Sequence, residues 1–291
     1  GYQISQYDQP ICENGALTLT SSGKNVRILR IHLEEDAGKS VHAAQETEVN
    51  LNRAGVPLIE IVSHPDLSSA EEAGEYLRQI HAIVTYLGIC DGNMQEGNFR
   101  FDANVSVRPR GATQLGTRVE VKNVNSFRFV EKAIEYEIRR QSDWIRAGKT
   151  VVQETRLFDS DRGVTESMRS KEEAADYRYF PDPDLPPIQV SEALLTELRN
   201  ALPELPAARR ERYRTALGLS DYDAGVLTSE KSISRFFDQV YEALLVLPQR
   251  KNFAPLEAAK LTANWICGEV LRYIHESPGR EIAKTLLTPT H

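Results

Sequence analysis

The segment Phe99-Arg-Phe-Asp-Ala-Asn-Val-Ser-Val-Arg108 alternates strictly between apolar and polar side chains. In a strand, a period of two turns Phe99, Phe101, Ala103, Val105 and Val107 to one face and Arg100, Asp102, Asn104, Ser106 and Arg108 to the other. A carboxylate, an amide, a hydroxyl and two guanidinium groups on one face, without Lys or Glu filler, could bind a metal and an anionic substrate. The competing reading is a solvated outer face. The following stretch repeats the theme, with Arg118, Glu120 and Lys122 alternating with Val119 and Val121. Between them, Pro109–Gly116 has the Gly and Thr content of a hairpin loop. If the two strands pair with a common polar face, the numbers of directly paired residues sum to an even value near 224 or 226, whereas an odd sum would put Asp102 opposite a residue of the Val119/Val121 face. With an even sum, Asp102, Asn104, Glu120 and Lys122 converge.

A second polar face lies in Val26–Glu34, where Leu29, Ile31 and Leu33 oppose Arg30, His32 and Glu34. Glu34, Glu35 and Asp36 then run into a glycine turn. Glu60 sits within the nearly continuous apolar run Val56-Pro-Leu-Ile-Glu-Ile-Val62, so it is expected in a buried strand. There a carboxylate must be paired, protonated or bound to metal, and an arginine partner is the structural alternative. Carboxylates from separate strands form the oxygen ligand set of Mg²⁺, which keeps waters for a nucleotide's phosphates. Arg100, Arg108, Arg118, Arg156 and Arg169 are candidates to hold a phosphoryl group. Neither a Walker A motif nor GxGxxG occurs. His32, His42, His64 and His81 lack metal-ligand spacing, and His81 reads as part of its helix.

These residues need strands to carry them. Alternation and β-branched runs predict strands at Ala16–Thr20, Val26–Glu34, Glu48–Leu51, Val56–Ser63, Phe99–Arg108, Thr117–Asn123 and Thr150–Phe158. Two long helices interrupt them. One opens at the capping box Ser69-Ala-Glu-Glu72, places Ala73, Leu77, Ile80, Val84 and Leu87 on one stripe, and stops at Gly88. The other begins near Asn125 or Ser126, buries Val130, Ile134 and Ile138, and ends at Gly148. Without a regular βαβ rhythm, this is an α+β class with a largely antiparallel sheet. Pro181, Pro183, Pro186 and Pro187 mark a boundary near residue 190. Beyond it, Ser191–Asn200, Pro206–Leu217, Ser229–Leu247 and Pro255–Glu276 have helical spacing. The expected domains are therefore 1–190, mixed, and 191–291, a small helical bundle.

The 291 residues carry 35 Lys+Arg and 42 Asp+Glu, a net charge of −7. Acidic and basic residues balance from Ser191 onward, so the excess lies in the first part. Such a balance argues against strong non-specific nucleic-acid binding, though not against recognition through a local patch. The one basic run, Arg209-Arg-Glu-Arg-Tyr-Arg214, reads as a solvated helix face. No apolar run reaches the length of a membrane span. Three scattered cysteines and no signal peptide fit a reducing cytoplasm. Because the chain begins at Gly1, it is read as a piece of a longer protein.

Several long motifs carry a resemblance. They are Tyr2–Pro10, His32-Leu-Glu-Glu-Asp-Ala-Gly-Lys39, Asn52-Arg-Ala-Gly-Val-Pro-Leu-Ile-Glu-Ile-Val62, Arg100–Pro109, Glu120-Val-Lys-Asn-Val-Asn-Ser126, Gln153–Arg156, Met168–Glu173, Asp176–Pro186 and Asn264-Trp265. In this order they resemble the GatB family, the B-type component of the aspartyl/glutamyl-tRNA amidotransferase. The resemblance implies a glutamine-synthetase-like cradle followed by a helical domain. It implies that ATP and Mg²⁺ phosphorylate the side-chain carboxylate of Glu or Asp misacylated on tRNA(Gln) or tRNA(Asn). Ammonia from the amidase subunit GatA, in a heterotrimer with GatC, then displaces the phosphate. It also implies Glu34 and Glu60 as magnesium ligands, and Asp102 and Arg100 in the ATP and phosphoryl site. Asn104, Glu120, Lys122 and Asn125 are their nucleotide-side neighbours. A family segment bearing a histidine ligand would precede Gly1, and a tail domain would follow His291. Two other readings remain: a small-molecule ATP-dependent ligase of the same superfamily, and a non-catalytic tRNA-binding scaffold.

Overall fold

The computed structural model describes residues 5–42, 46–170, 184, 186–246, 253–276, 282, 285, 287 and 288. Residues 2–4, 171–173, Pro181, Pro183 and most of the Asp176–Pro186 motif lie outside the described residues, as does the side chain of Arg169. The chain divides into two units, Gly1–Arg78 with Met94–Val190, and Gln79–Asn93 with Ser191–His291.

The first unit holds three sheets. The turn between β1 (Cys12–Thr18) and β2 (Asn25–Glu35) uses Gly23 at φ +69°, and β2 continues its pairing with β5 (Pro57–Ser63). β3 (Lys39–His42) and β4 (Thr47–Asn50) form a two-stranded ribbon. The third sheet has the order β6 (Phe101–Val105), β7 (Val119–Val124), β8 (Glu154–Asp159), β9 (Val164–Ser170). β7 and β8 run parallel and the other strand pairs antiparallel. The strand pairing is thus largely antiparallel, as expected, with one parallel pair that the sequence did not single out. The second long helix serves as the crossover that returns the chain in the same direction, making one βαβ unit.

Helix α1 (Ala70–Leu87) starts where Ser69 Oγ accepts the Glu72 amide at 3.2 Å. The Glu72 carboxylate reaches back one residue further than a standard capping box, to the Ser68 amide at 2.7 Å, and also pairs with Lys24. Gly88 ends the helix at φ +74°. Helix α2 (Phe127–Arg146) is capped by Ser126, whose side chain accepts the Phe129 amide. Ala103, Val105, Val121, Val124, Val130, Ala133 and Phe158 form the core between α2 and its sheet, with Leu77, Ile134 and Ile138 beside them. The inward set of the alternating strand is thus the predicted one. The same helix also buries Glu137 and Gln141, which the sequence did not single out.

The second unit contains α3 (Glu192–Ala201), α4 (Pro206–Thr215), α5 (Asp221–Leu227), α6 (Lys231–Val246), α7 (Pro255–Trp265) and α8 (Leu271–Glu276). A π-helical turn, Ile266–Val270, joins the last two. Its core is built on Tyr213, Leu227, Phe237, Ala259, Ala263 and Ile266. Residues 79–93 belong here because Tyr86 is buried, its hydroxyl 2.9 Å from the Thr228 carbonyl and 3.1 Å from Ser234 Oγ. No helix among the described residues is long and apolar enough to cross a membrane.

Candidate metal and phosphoryl site

Strand β2 places His32 and Glu34 on one face by their i, i+2 spacing, and antiparallel pairing sets Glu60 of β5 directly opposite His32. His32 Nε2 lies 3.0 Å from Glu34 Oε1 and 3.2 Å from Glu60 Oε2. The three ligand atoms fall within 4.8 Å of one another. The imidazole is wholly buried, whereas the Glu34 and Glu60 side chains are 11% and 53% exposed. Glu60 is therefore not the buried carboxylate that its apolar neighbours suggested. The face of the three-stranded sheet that carries it is open at Glu60, and the partner of Glu60 is a histidine rather than an arginine. Ser5 Oγ donates to Glu34 Oε1 at 2.8 Å, and the Tyr7 ring meets His32 edge-on at 5.9 Å.

Ligands about 2.1 Å from an octahedral cation stand about 3–4 Å apart, and these atoms lie within 4.8 Å of one another. Two carboxylates suit a hard divalent cation, with the imidazole either as a third ligand or as a hydrogen-bond donor to them. His32 Nδ1 is buried without a hydrogen-bond partner among the described residues. A metal-ligating histidine ordinarily donates its other N–H. The better-satisfied arrangement has Nε2–H donating to the two carboxylates, which draws them together at the open face. Sequence reasoning missed His32, although its i, i+2 relation to Glu34 was the signal that could have found it.

A second cluster gathers at the end of β2. Asp36 accepts from Arg53 Nε at 2.7 Å and Arg100 Nη2 at 2.9 Å, and Arg53 also reaches Asn98 Oδ1 at 2.9 Å. Burial opposes ionisation of Asp36, but the hydrogen bonds and charges of Arg53 and Arg100 outweigh it and hold the carboxyl below its usual range. Arg100 is thus already partnered, though still 54% exposed.

The third cluster is the predicted hairpin face. Asn104 stands opposite Glu120, Ala103 opposite Val121, and a bulge falls between Phe101 and Ala103. Lys122 Nζ lies 2.7 Å from Asp102 and 3.7 Å from Glu120, while Thr155 donates to Glu120 at 2.8 Å. Asp102, Asn104, Glu120 and Lys122 therefore do converge. Asn125, exposed just before α2, makes none of these contacts. Among the other arginines proposed for a phosphoryl group, Arg156 is committed elsewhere: it binds Thr165, Glu137 and Glu154. Arg108 donates to the Thr113 carbonyl at 2.8 Å.

The run Arg209–Arg214 is likewise not a free basic stripe. Arg209 and Arg212 share Glu204 and Asp238, and Arg210 and Arg214 pair with Asp221. Two surface hollows, about 470 Å³ beside Tyr222, Cys267 and His275 and about 430 Å³ beside Tyr136, Trp144 and Lys149, contain none of the predicted site residues.

Comparison with known families is decisive at this point. The GatB/GatE catalytic domain matches residues 1–196, a span that carries all three clusters. The chain belongs to the GatB/GatE catalytic-domain family. Its relatives are named as B-type subunits of the aspartyl/glutamyl-tRNA(Asn/Gln) amidotransferase. The protein from Anaeromyxobacter sp. (strain K) is 58% identical over 294 residues, covering 99% of this chain and 59% of the relative. That from Geobacter sulfurreducens is 56% identical over 296 residues, with the same coverage. That from Nitratidesulfovibrio vulgaris (strain DP4) is 62% identical over 242 residues, 82% of this chain and 51% of the relative. This GatB/GatE member thus spans about three-fifths of the first two relatives it matches and half of the third.

Proposed function

We propose that this chain is the catalytic part of the GatB component of an aminoacyl-tRNA amidotransferase. Residues 1–190 form a glutamine-synthetase-like cradle, and 191–291 a helical domain that takes residues 79–93, the end of α1 and the segment after it, into its unit. The reaction uses ATP to phosphorylate the side-chain carboxylate of Glu or Asp misacylated on tRNA(Gln) or tRNA(Asn). The carboxylate oxygen bonds to the γ-phosphorus as the bond to the departing ADP oxygen breaks. Ammonia then attacks the acyl carbon, phosphate leaves, and a proton is released as the amide forms. Ammonia comes from a glutaminase partner, GatA, in a cytoplasmic heterotrimer with GatC.

The observation that carries this reading is the carboxylate pair joined by His32, on an open sheet face within the family-matched segment. Glu34 and Glu60 would hold Mg²⁺, which neutralises phosphate charge when bound. Magnesium prefers oxygen ligands, so His32 positions the two carboxylates by donating from Nε2. Arg100, exposed beyond its contact with Asp36, turns toward the phosphoryl group. Asp102, Asn104, Glu120 and Lys122, with Asn125 beyond, form the nucleotide side of the cradle. Internal pairing of Arg209–Arg214 weighs against a scaffold whose only task is tRNA binding.

The test combines the full-length protein with its partner subunits and follows ATP-dependent conversion of Glu-tRNA(Gln) and Asp-tRNA(Asn). Amide formation that requires both ATP and this protein is the expected result. ATP-dependent amidation of free glutamate, with the aminoacyl-tRNA ignored, would favour the small-molecule ligase instead.

A further inference from the structure

Arg30 occupies the same face of β2 as His32 and Glu34, two residues before the histidine. Its guanidinium carbon lies 3.9 Å from the centre of the Tyr7 ring, the ring that also meets His32 edge-on. Stacking engages the flat face of the guanidinium and leaves its N–H edge available. That edge has no carboxylate partner: among the described residues Arg30 forms no ion pair, although Glu13 stands directly opposite it on β1. Its Nε is buried and has no hydrogen-bond partner there. Other arginines near buried or partly buried carboxylates are committed to them. Arg27, Arg53, Arg100, Arg140, Arg156 and Arg212 are each bound to a carboxylate.

A stacked arginine with unused donors, beside two carboxylates arranged for a cation, has the composition of an oxyanion site. The planar fork matches phosphate or carboxylate oxygens, and the cation neutralises the carboxylates that would otherwise repel such an anion. We propose that Arg30 is the anion-binding arm of this site, taking an oxygen of the substrate's phosphate or carboxylate beside the cation held by Glu34 and Glu60. The proposal rests on the phosphoryl-transfer reading given above and assigns a substrate contact within it. A purely structural Arg30 would serve only as the lid of the Tyr7 ring.

The test titrates the full chain, with and without Mg²⁺, with tripolyphosphate and separately with glutarate, and compares Arg30→Gln and Arg30→Lys. Mn²⁺ affinity and melting temperature are measured on the same samples. Losing the fork weakens binding of one probe by about tenfold or more in Arg30→Gln, since charge-assisted hydrogen bonds are the strong ones. Mn²⁺ affinity should change by less than about threefold. Loss confined to tripolyphosphate assigns the contact to phosphate, and loss confined to glutarate assigns it to the carboxylate. Unchanged binding of both probes, no binding by the unsubstituted chain, or failure of both variants to fold would overturn the proposal. In the assembled enzyme the loss should appear in KM for the matching substrate before kcat. Failure of the underlying reading has a separate signature: Mn²⁺ binding that Glu60→Gln leaves untouched, whatever Arg30 does.

Discussion

Two carboxylate clusters in the first unit are completed in opposite ways. Glu137, wholly buried on α2, accepts from Arg140 Nη2 at 2.9 Å, Gln141 Nε2 at 3.0 Å and Thr165 Oγ1 at 2.5 Å, with Arg156 Nε at 3.2 Å. Burial disfavours its charge, yet those hydrogen bonds and the Arg140 charge hold its pKa below the usual carboxylate range. Glu34 and Glu60 share the His32 imidazole, and Ser5 Oγ also donates to Glu34. The lesson is electrostatic. A carboxylate supplied with its cations in the fold is structural, whereas two carboxylates gathered on one imidazole, one of them half exposed, are arranged for a cation from outside.

The largest expected effect separates these roles. Glu60→Gln keeps shape and removes charge, so ATP-dependent amidation by the assembled enzyme should fall by about two orders of magnitude or more. Stability should change by about 0.5 kcal/mol or less, because the side chain is half exposed. A less stable but fully active Glu60→Gln enzyme would erase the contrast. Glu137→Gln should do the reverse. With Arg140 and Arg156 left near a neutral amide in the interior, chemical denaturation should show a loss of about 3–5 kcal/mol, while turnover per folded molecule stays near normal.

Asp102→Asn tests an intermediate case, since its partner Lys122 is also partly exposed. Equilibrium unfolding should register about 1 kcal/mol or less. Nucleotide affinity should weaken several-fold if the hairpin face lines the ATP site, and unchanged affinity would remove that face from the site.

The smallest effect concerns pH. Burial opposes the charge of Glu75, but hydrogen bonds from the Ser21 and Thr20 hydroxyls and amides outweigh it and lower its pKa from 4.5 to about 2. A carboxyl depressed by folding stabilises fully above its unfolded value, and this contribution fades as pH falls from about 4.5 toward 2. Glu75→Gln should flatten that part of the acid-unfolding curve, leaving the curve above pH 5 parallel to the original. An unchanged acid limb would assign the turn's stability to other contacts.

Local pattern determined much of this molecule. Alternation alone sorted Ala103, Val105, Val119 and Val121 inward and Asp102, Asn104, Glu120 and Lys122 outward, because successive strand residues must point to opposite faces. Ser69, Ser126, Gly88 and Gly148 marked helix ends through cap hydrogen bonds and left-handed backbone, which are also local. Short elements such as β3, β9 and α5 were not legible, since too few residues expressed a period.

Tertiary structure alone decided which faces were covered and which side chains met. Apolar neighbours of Glu60 pointed to burial, yet how far a strand face is covered depends on what packs over its sheet. The contact between His32 and Glu60 arises from the register of two strands separated by the β3–β4 ribbon. Asp36 and Arg100 meet across an even longer stretch of chain. The sequence therefore determined the chemical content of each face. The long-range register determined which charges would be neutralised within the fold and which would remain for a ligand, because electrostatic pairing depends on distances that local periodicity does not encode.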